Sequence, residues 1–266
     1  MTLEEIVRQA LEEDIGTGDI TTNLCVPAEA RAIGHFIARE PLVAAGLDLL
    51  PFLFESSKIG LPACSPGSVI ATVHGPTRKL LTHERVALNF LQRLSGIATL
   101  ARQYADAVAH TKCRVLDTRK TTPGLRVLEK SAAAAGGVVN HRMGLYDAIL
   151  IKNNHITAAG GVRAALHRTQ HSGLPVEIEV RTRAELDEAL ACGARHLLLD
   201  NLTPAEASEC ILHIAGRAKV ELSGGITLSN VRAYAETGAD YVSCGAITHS
   251  ARAVDINFRL EPEWVP

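Results

Sequence analysis

Along the second half of the chain, short apolar runs alternate with amphipathic stretches of helical period. The runs are CRVLD (113–117), AILIK (148–152), VEIEV (176–180), HLLLD (196–200), KVELS (219–223) and DYVSC (240–244). Their length predicts strands. The stretches 158–171, 182–192, 204–215 and 228–237 read as helices, each followed by a glycine near its end: Gly173, Gly193, Gly216 and Gly238. This β-α-β-α rhythm predicts parallel strands joined by helical crossovers. The first 88 residues have a different texture. MTLEEIVRQALEED is an acidic amphipathic helix pattern, GHFIARE and SVIATVHG read as strands, and Gly16–Asp19 and Pro66-Gly67 mark turns. A long helix is expected from about Leu80 to His110, with Val86, Phe90, Leu94 and Ile97 inward and Gly96 at a packing contact.

Composition narrows the class. A chain of 266 residues holds one large α/β barrel or two ordinary domains. Aromatic residues make up only 4%, so the core is mostly Ala, Val, Leu and Ile, which suits helices around a parallel sheet. Asp117, Lys152, Glu179, Asp200 and Ser223 fall at or beside the last residue of five different runs. Functional groups on many strand ends favour a closed barrel, whose ends converge on one mouth, over an open sheet with one switch point.

Charge then locates the chemistry. Between Asp117 and His155 stand Arg119, Lys120, Arg126, Lys130, Arg142 and Lys152, opposed by Asp117, Glu129 and Asp147, on a chain of net charge −2. A local cationic cluster on a near-neutral protein points to a small polyanion in a concave site rather than to a nucleic acid, which the scarcity of aromatics also disfavours. Arg119, Lys120, Arg142 and Lys152 are candidates to hold carboxylates or phosphates, with His141 as a further donor. Glu179 and Asp200 are the acidic candidates, Glu179 sharing a strand face with Glu177; a basic side chain or a divalent cation are both open as partners. Ser223-Gly224-Gly225 and Gly245 follow the last two strands, where barrel backbones cradle phosphate. Gly-Thr-Gly-Asp (16–19) lacks the Gly-Lys-Ser/Thr of a phosphate loop and reads as a helix stop and turn. The six cysteines form no Cys-x-x-Cys pair and read as reduced thiols; His167 and His171 lack a third metal ligand. No apolar run suits a membrane span and no signal layout is evident, so a cytoplasmic protein is expected.

The stretches EEDIGTGDITT (12–22), ERVALNFLQRLSGIAT (84–99), DTRKTTPGLR (117–126), GGVVNHRMGLYDAILIKNNH (136–155), EIEV (177–180), LLLDN (197–201), ELSGGI (221–226) and GAITHS (245–250) together resemble the quinolinate phosphoribosyltransferases. The resemblance implies an N-terminal α+β sandwich domain (1–88) and an incomplete TIM-like α/β barrel (89–250), with 251–266 expected to pack back onto the first domain. It implies transfer of phosphoribosyl from 5-phosphoribosyl-1-diphosphate to quinolinate, with decarboxylation, in NAD biosynthesis. Implied partners are Mg²⁺ and a second copy of the chain, as a homodimer or a hexamer of dimers, with Arg85 entering the neighbour's site. By motif, Arg119, His141, Arg142 and Lys152 would bind quinolinate. Lys120 would face the donor, Glu179 and Asp200 would lie by the ribose and metal, and Ser223, Gly224 and Gly245 would hold the 5-phosphate. One departure is Asn153, where the family commonly has Asp. Two other readings stand beside this one: a Schiff-base aldolase using Lys152, and a phosphate-binding homologue without activity.

Overall fold

The computed structural model describes residues 2–60 and 62–263. Met1 of the first predicted helix and residues 264–266 of the expected returning tail lie outside them. In chain order the elements are α1 (Leu3–Ile15), α2 (Ile20–Cys25), β1 (Arg31–Ala38), β2 (Leu42–Val43), α3 (Leu50–Leu53), β3 (Ser56–Ile59), β4 (Ala63–Cys64), β5 (Val69–Pro76), α4 (Thr77–Val108), β6 (Arg114–Leu116), α5 (Arg126–Ala135) and β7 (Ile149–Ile151). They continue with α6 (Asn153–Ala159), α7 (Val162–Thr169), β8 (Val176–Val180), α8 (Arg183–Ala191), β9 (His196–Asp200), α9 (Pro204–Ile214), β10 (Lys219–Ser223), α10 (Val231–Ala235), β11 (Tyr241–Ser243), α11 (Ala246–His249) and β12 (Ile256–Pro262). The chain divides into two compact units. One holds Met1–Ala101, Thr122–Gly136 and Ser250–Pro266; the other holds Arg102–Thr121 and Gly137–His249. Nothing divides the chain at residue 88, because α4 runs through that point as one helix. Residues 89–101 and 122–136 of the expected barrel segment fall in the first unit.

The first unit is built on an antiparallel sheet in the order β12-β1-β5-β3. β1 buries every second residue, as a strand covering a core on one face must. Gly34 lies where β1 and β12 approach closely: a Cβ there would fall 2.3 Å from the Phe258 ring. The Phe258 ring packs on Phe36 at 4.9 Å between centroids. Gly96 is a second close approach, a Cβ falling 2.0 Å from the Arg252 carbonyl oxygen. Val86, Leu94 and Ile97 of α4 are buried as the periodicity implies, and Phe90 is partly exposed. Gly16 does end α1, with φ 54°, but Asp19 opens α2 instead of a plain turn, its carboxylate accepting from the Thr22 amide at 2.9 Å. The run ITTNLC is too short and too rich in threonine for its period to announce a helix. α5 joins this unit through the buried Glu129 carboxylate, which accepts from Arg93 Nη2 at 3.0 Å and from the Thr122 hydroxyl at 2.7 Å.

The second unit carries a wholly parallel sheet in the order β6-β11-β10-β9-β8-β7. Its chain order explains its shape. Strands β7 to β11 follow one another across the sheet, and β11 then pairs with β6, the earliest strand of the six. Val139 bridges to Leu116 on the other side of β6, starting the next position of the ring. The sheet therefore curls back toward its own beginning and forms an incomplete α/β barrel with its helices between strands. All six predicted strands are present; β8, β9 and β10 have the predicted bounds, and β6, β7 and β11 are one residue shorter at each end. The predicted helix 158–171 is instead two helices, α6 and α7, because Gly160 and Gly161 take φ of 88° and 126°. Among the described residues, no helix is long and apolar enough to cross a membrane.

Candidate active site

A cavity of about 610 Å³ opens at the carboxyl ends of these parallel strands, within the second unit. The turn after β6 brings Arg119 and Lys120 to it, the segment before β7 brings His141 and Arg142, and the end of β7 brings Lys152. Asp200 comes from the end of β9, Ser223 and Gly224 from β10 and its turn, and Gly245 from the turn after β11. Nine of the residues singled out from the sequence thus meet in one place, which strand ends of a single barrel can do and isolated motifs cannot.

Two singled-out residues are placed elsewhere. Glu179 is buried and does not line the cavity; its carboxylate accepts from Arg181 Nε at 3.2 Å and lies 3.1 Å from Nη2. Arg85 is exposed on α4 in the first unit. Arg126 and Lys130, neighbours of the cationic motif in sequence, also belong to the first unit. Conversely Glu221 lines the cavity while 4% exposed, and Asn201 and His249 line it as well. Glu221 is legible in hindsight: it lies two residues before Ser223 on the same strand, so it faces the same way.

Burial disfavours charge on Arg142 and the nearby Arg119 guanidinium disfavours it further, so its pKa is held below the usual arginine value, with Asp147 and Glu177 opposing. Two guanidiniums so arranged are relieved by a shared anion. Lys152 is exposed, the reverse of the apolar burial that activates a Schiff-base lysine. The segment carrying His141 and Arg142 is tied at both ends. Asp117, fully buried, accepts from the His141 amide at 2.8 Å and from Asn140 Nδ2 at 2.6 Å. Asp147 accepts from the Met143 amide at 2.7 Å and the Gly144 amide at 2.9 Å, and these bonds lower its pKa. Arg142 Nη1 donates to the Ala148 carbonyl at 3.0 Å.

His141 stands between two acids, its Nε2 being 3.3 Å from Glu177 and 3.5 Å from Glu221. Three such groups within 4.8 Å have a metal-ligand composition. The proton placement opposes that use. The Arg142 amide donates to Nδ1 at 2.7 Å, so the neutral ring carries its hydrogen on Nε2, facing the carboxylates. Burial works against charging the ring, yet the hydrogen bonds and charges of Glu177 and Glu221 outweigh it and raise the pKa to about 9. Charging also gives up the amide contact at Nδ1, worth about 1 kcal/mol, which trims the rise without reversing it. In either state Nε2 holds a hydrogen and offers no lone pair to a metal.

A pKa raised in the fold means the stabilisation is complete below the ring's unfolded value of 6.5 and is lost as pH rises through about 9. Denaturant unfolding should therefore show stability falling by about 2 kcal/mol across that window, and His141→Asn should flatten it. An equally steep fall in the variant would assign the dependence to other groups.

Hydroxyl-bearing and glycine turns line the same cavity. Asp200 accepts from the Ser223 hydroxyl in a short contact and from Asn201 Nδ2 at 2.6 Å. Gly224 has φ 94°, and a Cβ there would fall 2.2 Å from Asn201 Oδ1 and 2.7 Å from its backbone nitrogen. At Gly245 a Cβ would fall 2.9 Å from Lys120 Cδ. Backbone without side chains at both turns lets an anion approach main-chain amides. The Thr248 hydroxyl donates to the Lys120 carbonyl at 2.8 Å, fixing that cationic turn.

Sequence families agree with this geometry. Residues 19–95 match the quinolinate phosphoribosyl transferase N-terminal domain, and 97–259 match the C-terminal domain. The probable nicotinate-nucleotide pyrophosphorylase [carboxylating] of Bacillus subtilis (strain 168) is 39% identical over 269 residues, covering 97% of this chain and 93% of that protein. The nicotinate-nucleotide pyrophosphorylase [carboxylating] of Mycobacterium leprae (strain TN) is 40% identical, covering 96% of each. The solved structure of the nicotinate-nucleotide pyrophosphorylase from Francisella tularensis superposes with a TM-score of 0.91 at 36% identity, over 97% of this chain and 96% of that one. With both domain families matched in order across a barrel whose cationic residues share one cavity, the chain belongs to the quinolinate phosphoribosyltransferase family.

Proposed function

We propose that this protein transfers the phosphoribosyl group of 5-phosphoribosyl-1-diphosphate to quinolinate, releasing diphosphate and carbon dioxide and giving nicotinate mononucleotide for NAD biosynthesis. The observation that carries the reading is that one cavity is lined both by the cations Arg119, Arg142 and Lys152 and by Asp200, Ser223, Gly224 and Gly245. A dicarboxylate suits the first and a phosphorylated sugar the second.

The pyridine nitrogen attacks the anomeric carbon as the bond to diphosphate breaks. Arg119, Arg142 and Lys152 hold the carboxylates of quinolinate, with His141 beside them. Much of the rate comes from holding two mutually repelling anions at bonding distance. Lys120 draws charge off the leaving diphosphate, and the Asp200 carboxylate favours the positive charge that develops on the ribose ring. Carbon dioxide then leaves the ring carbon next to the now cationic nitrogen, the bonding pair stays on that carbon, and a proton from solvent takes the carboxylate's place. Glu179, held by Arg181 in this conformation, acts on the ribose or metal only after that pair opens.

The donor set suits magnesium at one point. Asp200 accepts from the neutral Ser223 and Asn201 side chains, so those partners leave its negative charge in place. Mg²⁺ held by Asp200 and completed by substrate phosphates would neutralise charge on the diphosphate.

The working unit is a homodimer, alone or within a hexamer, in which Arg85 of one copy reaches the other's quinolinate; its exposure on α4 supports this. A reducing, cytoplasmic setting fits six cysteines that form no Cys-x-x-Cys pair.

Product formation from quinolinate and phosphoribosyl diphosphate, with carbon dioxide counted against diphosphate, tests the reaction; equal yields are expected, and no product would end the reading. Lys152→Ala should lower turnover about 10²- to 10³-fold, as loss of a fixed charge at a reacting centre does. Near-normal turnover would remove Lys152 from the mechanism.

A further inference from the structure

The cavity's cations are presented by a segment whose shape is set from behind. Asp117 follows directly on β6 as a fully buried carboxylate, and it does not line the cavity. Its backbone amide donates to the Val139 carbonyl at 3.1 Å, and the Val139 amide donates to the Val115 carbonyl at 2.9 Å, so a single parallel bridge joins the incoming segment to β6. Beyond that bridge the carboxylate takes over. One oxygen accepts from the His141 amide and the other from Asn140 Nδ2. The next residue along is Arg142, whose guanidinium is anchored to the Ala148 carbonyl.

We propose that Asp117 is a positioning residue for the dicarboxylate subsite, clamping Asn140 and His141 from behind so that the Arg142 side chain stands ready for the substrate's carboxylates with His141 beside it. It touches no substrate. The inference rests on the reading that Arg142 binds quinolinate, and it assigns to that subsite a support that the donor subsite does not share. A carboxylate is suited to the task because both of its oxygens accept, and two donors from adjacent residues must be satisfied at once. Those bonds offset part of the cost of burying it. An asparagine has one acceptor, and its amide would face either the His141 N–H or Asn140 Nδ2, donor against donor.

The test uses the full-length protein and two variants, Asp117→Asn and Asn140→Ala, with Kd for quinolinate from titration calorimetry and steady-state KM for both substrates. Asp117→Asn should weaken quinolinate by about 30-fold or more, with the KM for phosphoribosyl diphosphate within about twofold of wild type. Asn140→Ala, which removes the Nδ2 bond and leaves the carboxylate in place, should weaken quinolinate about fivefold, with the thermal midpoint lower by about 2–4 °C. If Asp117→Asn does not fold, the Asn140→Ala result decides alone. Equal losses for both substrates, or no change in quinolinate affinity in Asn140→Ala, would overturn the clamp. A wild-type protein that neither binds nor turns over quinolinate would instead overturn the functional reading, and this inference with it.

Discussion

Arg142→Ala should fold normally and lose most of its activity toward quinolinate, with kcat/KM falling about 30- to 4,000-fold, the equivalent of about 2–5 kcal/mol. The range reflects what removal of one partner from a partly buried charge pair costs: the substrate carboxylate stays in the cavity without its counter-charge. Arg142 is suited to this effect because its guanidinium is already fixed by the Ala148 carbonyl, so little conformational freedom is lost on binding. Its charge is also poorly compensated, with Arg119 near and Asp147 and Glu177 as the opposing acids. Arg142→Lys retains charge but loses the planar fork, and should recover only part of the loss. The KM for the phosphoribosyl donor should change little in both variants. A kcat/KM within threefold of wild type in Arg142→Ala would remove this arginine from the site.

Gly224→Ala should disable the donor side of the cavity. A non-glycine residue at φ 94° is strained by about 1–3 kcal/mol before any contact is considered. The added methyl would then meet Asn201, including its backbone nitrogen at 2.7 Å. That nitrogen cannot retreat cheaply, because it donates to the Ser223 carbonyl at 2.9 Å at the end of β10. Moving it disturbs Asp200, whose carboxylate holds both Ser223 and Asn201. The KM for phosphoribosyl diphosphate should rise at least about tenfold while quinolinate binding is kept, with about 2 kcal/mol or more lost in folding stability. Gly225→Ala is the control. Gly225 also has positive φ, at 60°, but a Cβ there meets nothing within 4 Å, so strain alone should cost about 1 kcal/mol. If both variants behave alike, the close contact with Asn201 does not matter.

Much of the barrel was legible in the sequence because strand-helix alternation is a local signal. All six runs became strands, and the polar residues at their ends became cavity walls at β7, β9 and β10. The limits have physical causes. Glu179 sits on the correct strand, but a side chain's partner is a tertiary property, and Arg181 claims it. Glu221 went unnoticed because a lone acid in KVELS carries no local sign that His141 lies across the barrel from it. Arg126 and Lys130 joined the cationic motif by adjacency alone; α5 carries them into the other unit, where Lys130 is buried. α2 escaped because six residues are too few to display a period. The family motifs fixed the reaction; the structure added how the cavity is braced.

The central claim is that one barrel mouth holds a dicarboxylate against Arg119, Arg142 and Lys152, beside a pocket for a phosphorylated sugar. A crystal structure of the protein with quinolinate bound tests it most directly. Both carboxylates should lie within about 3 Å of donors from those three side chains, with the ring nitrogen directed toward Asp200 and Ser223. Quinolinate found outside this cavity, or inside it with its carboxylates turned away from all three cations, would contradict the account.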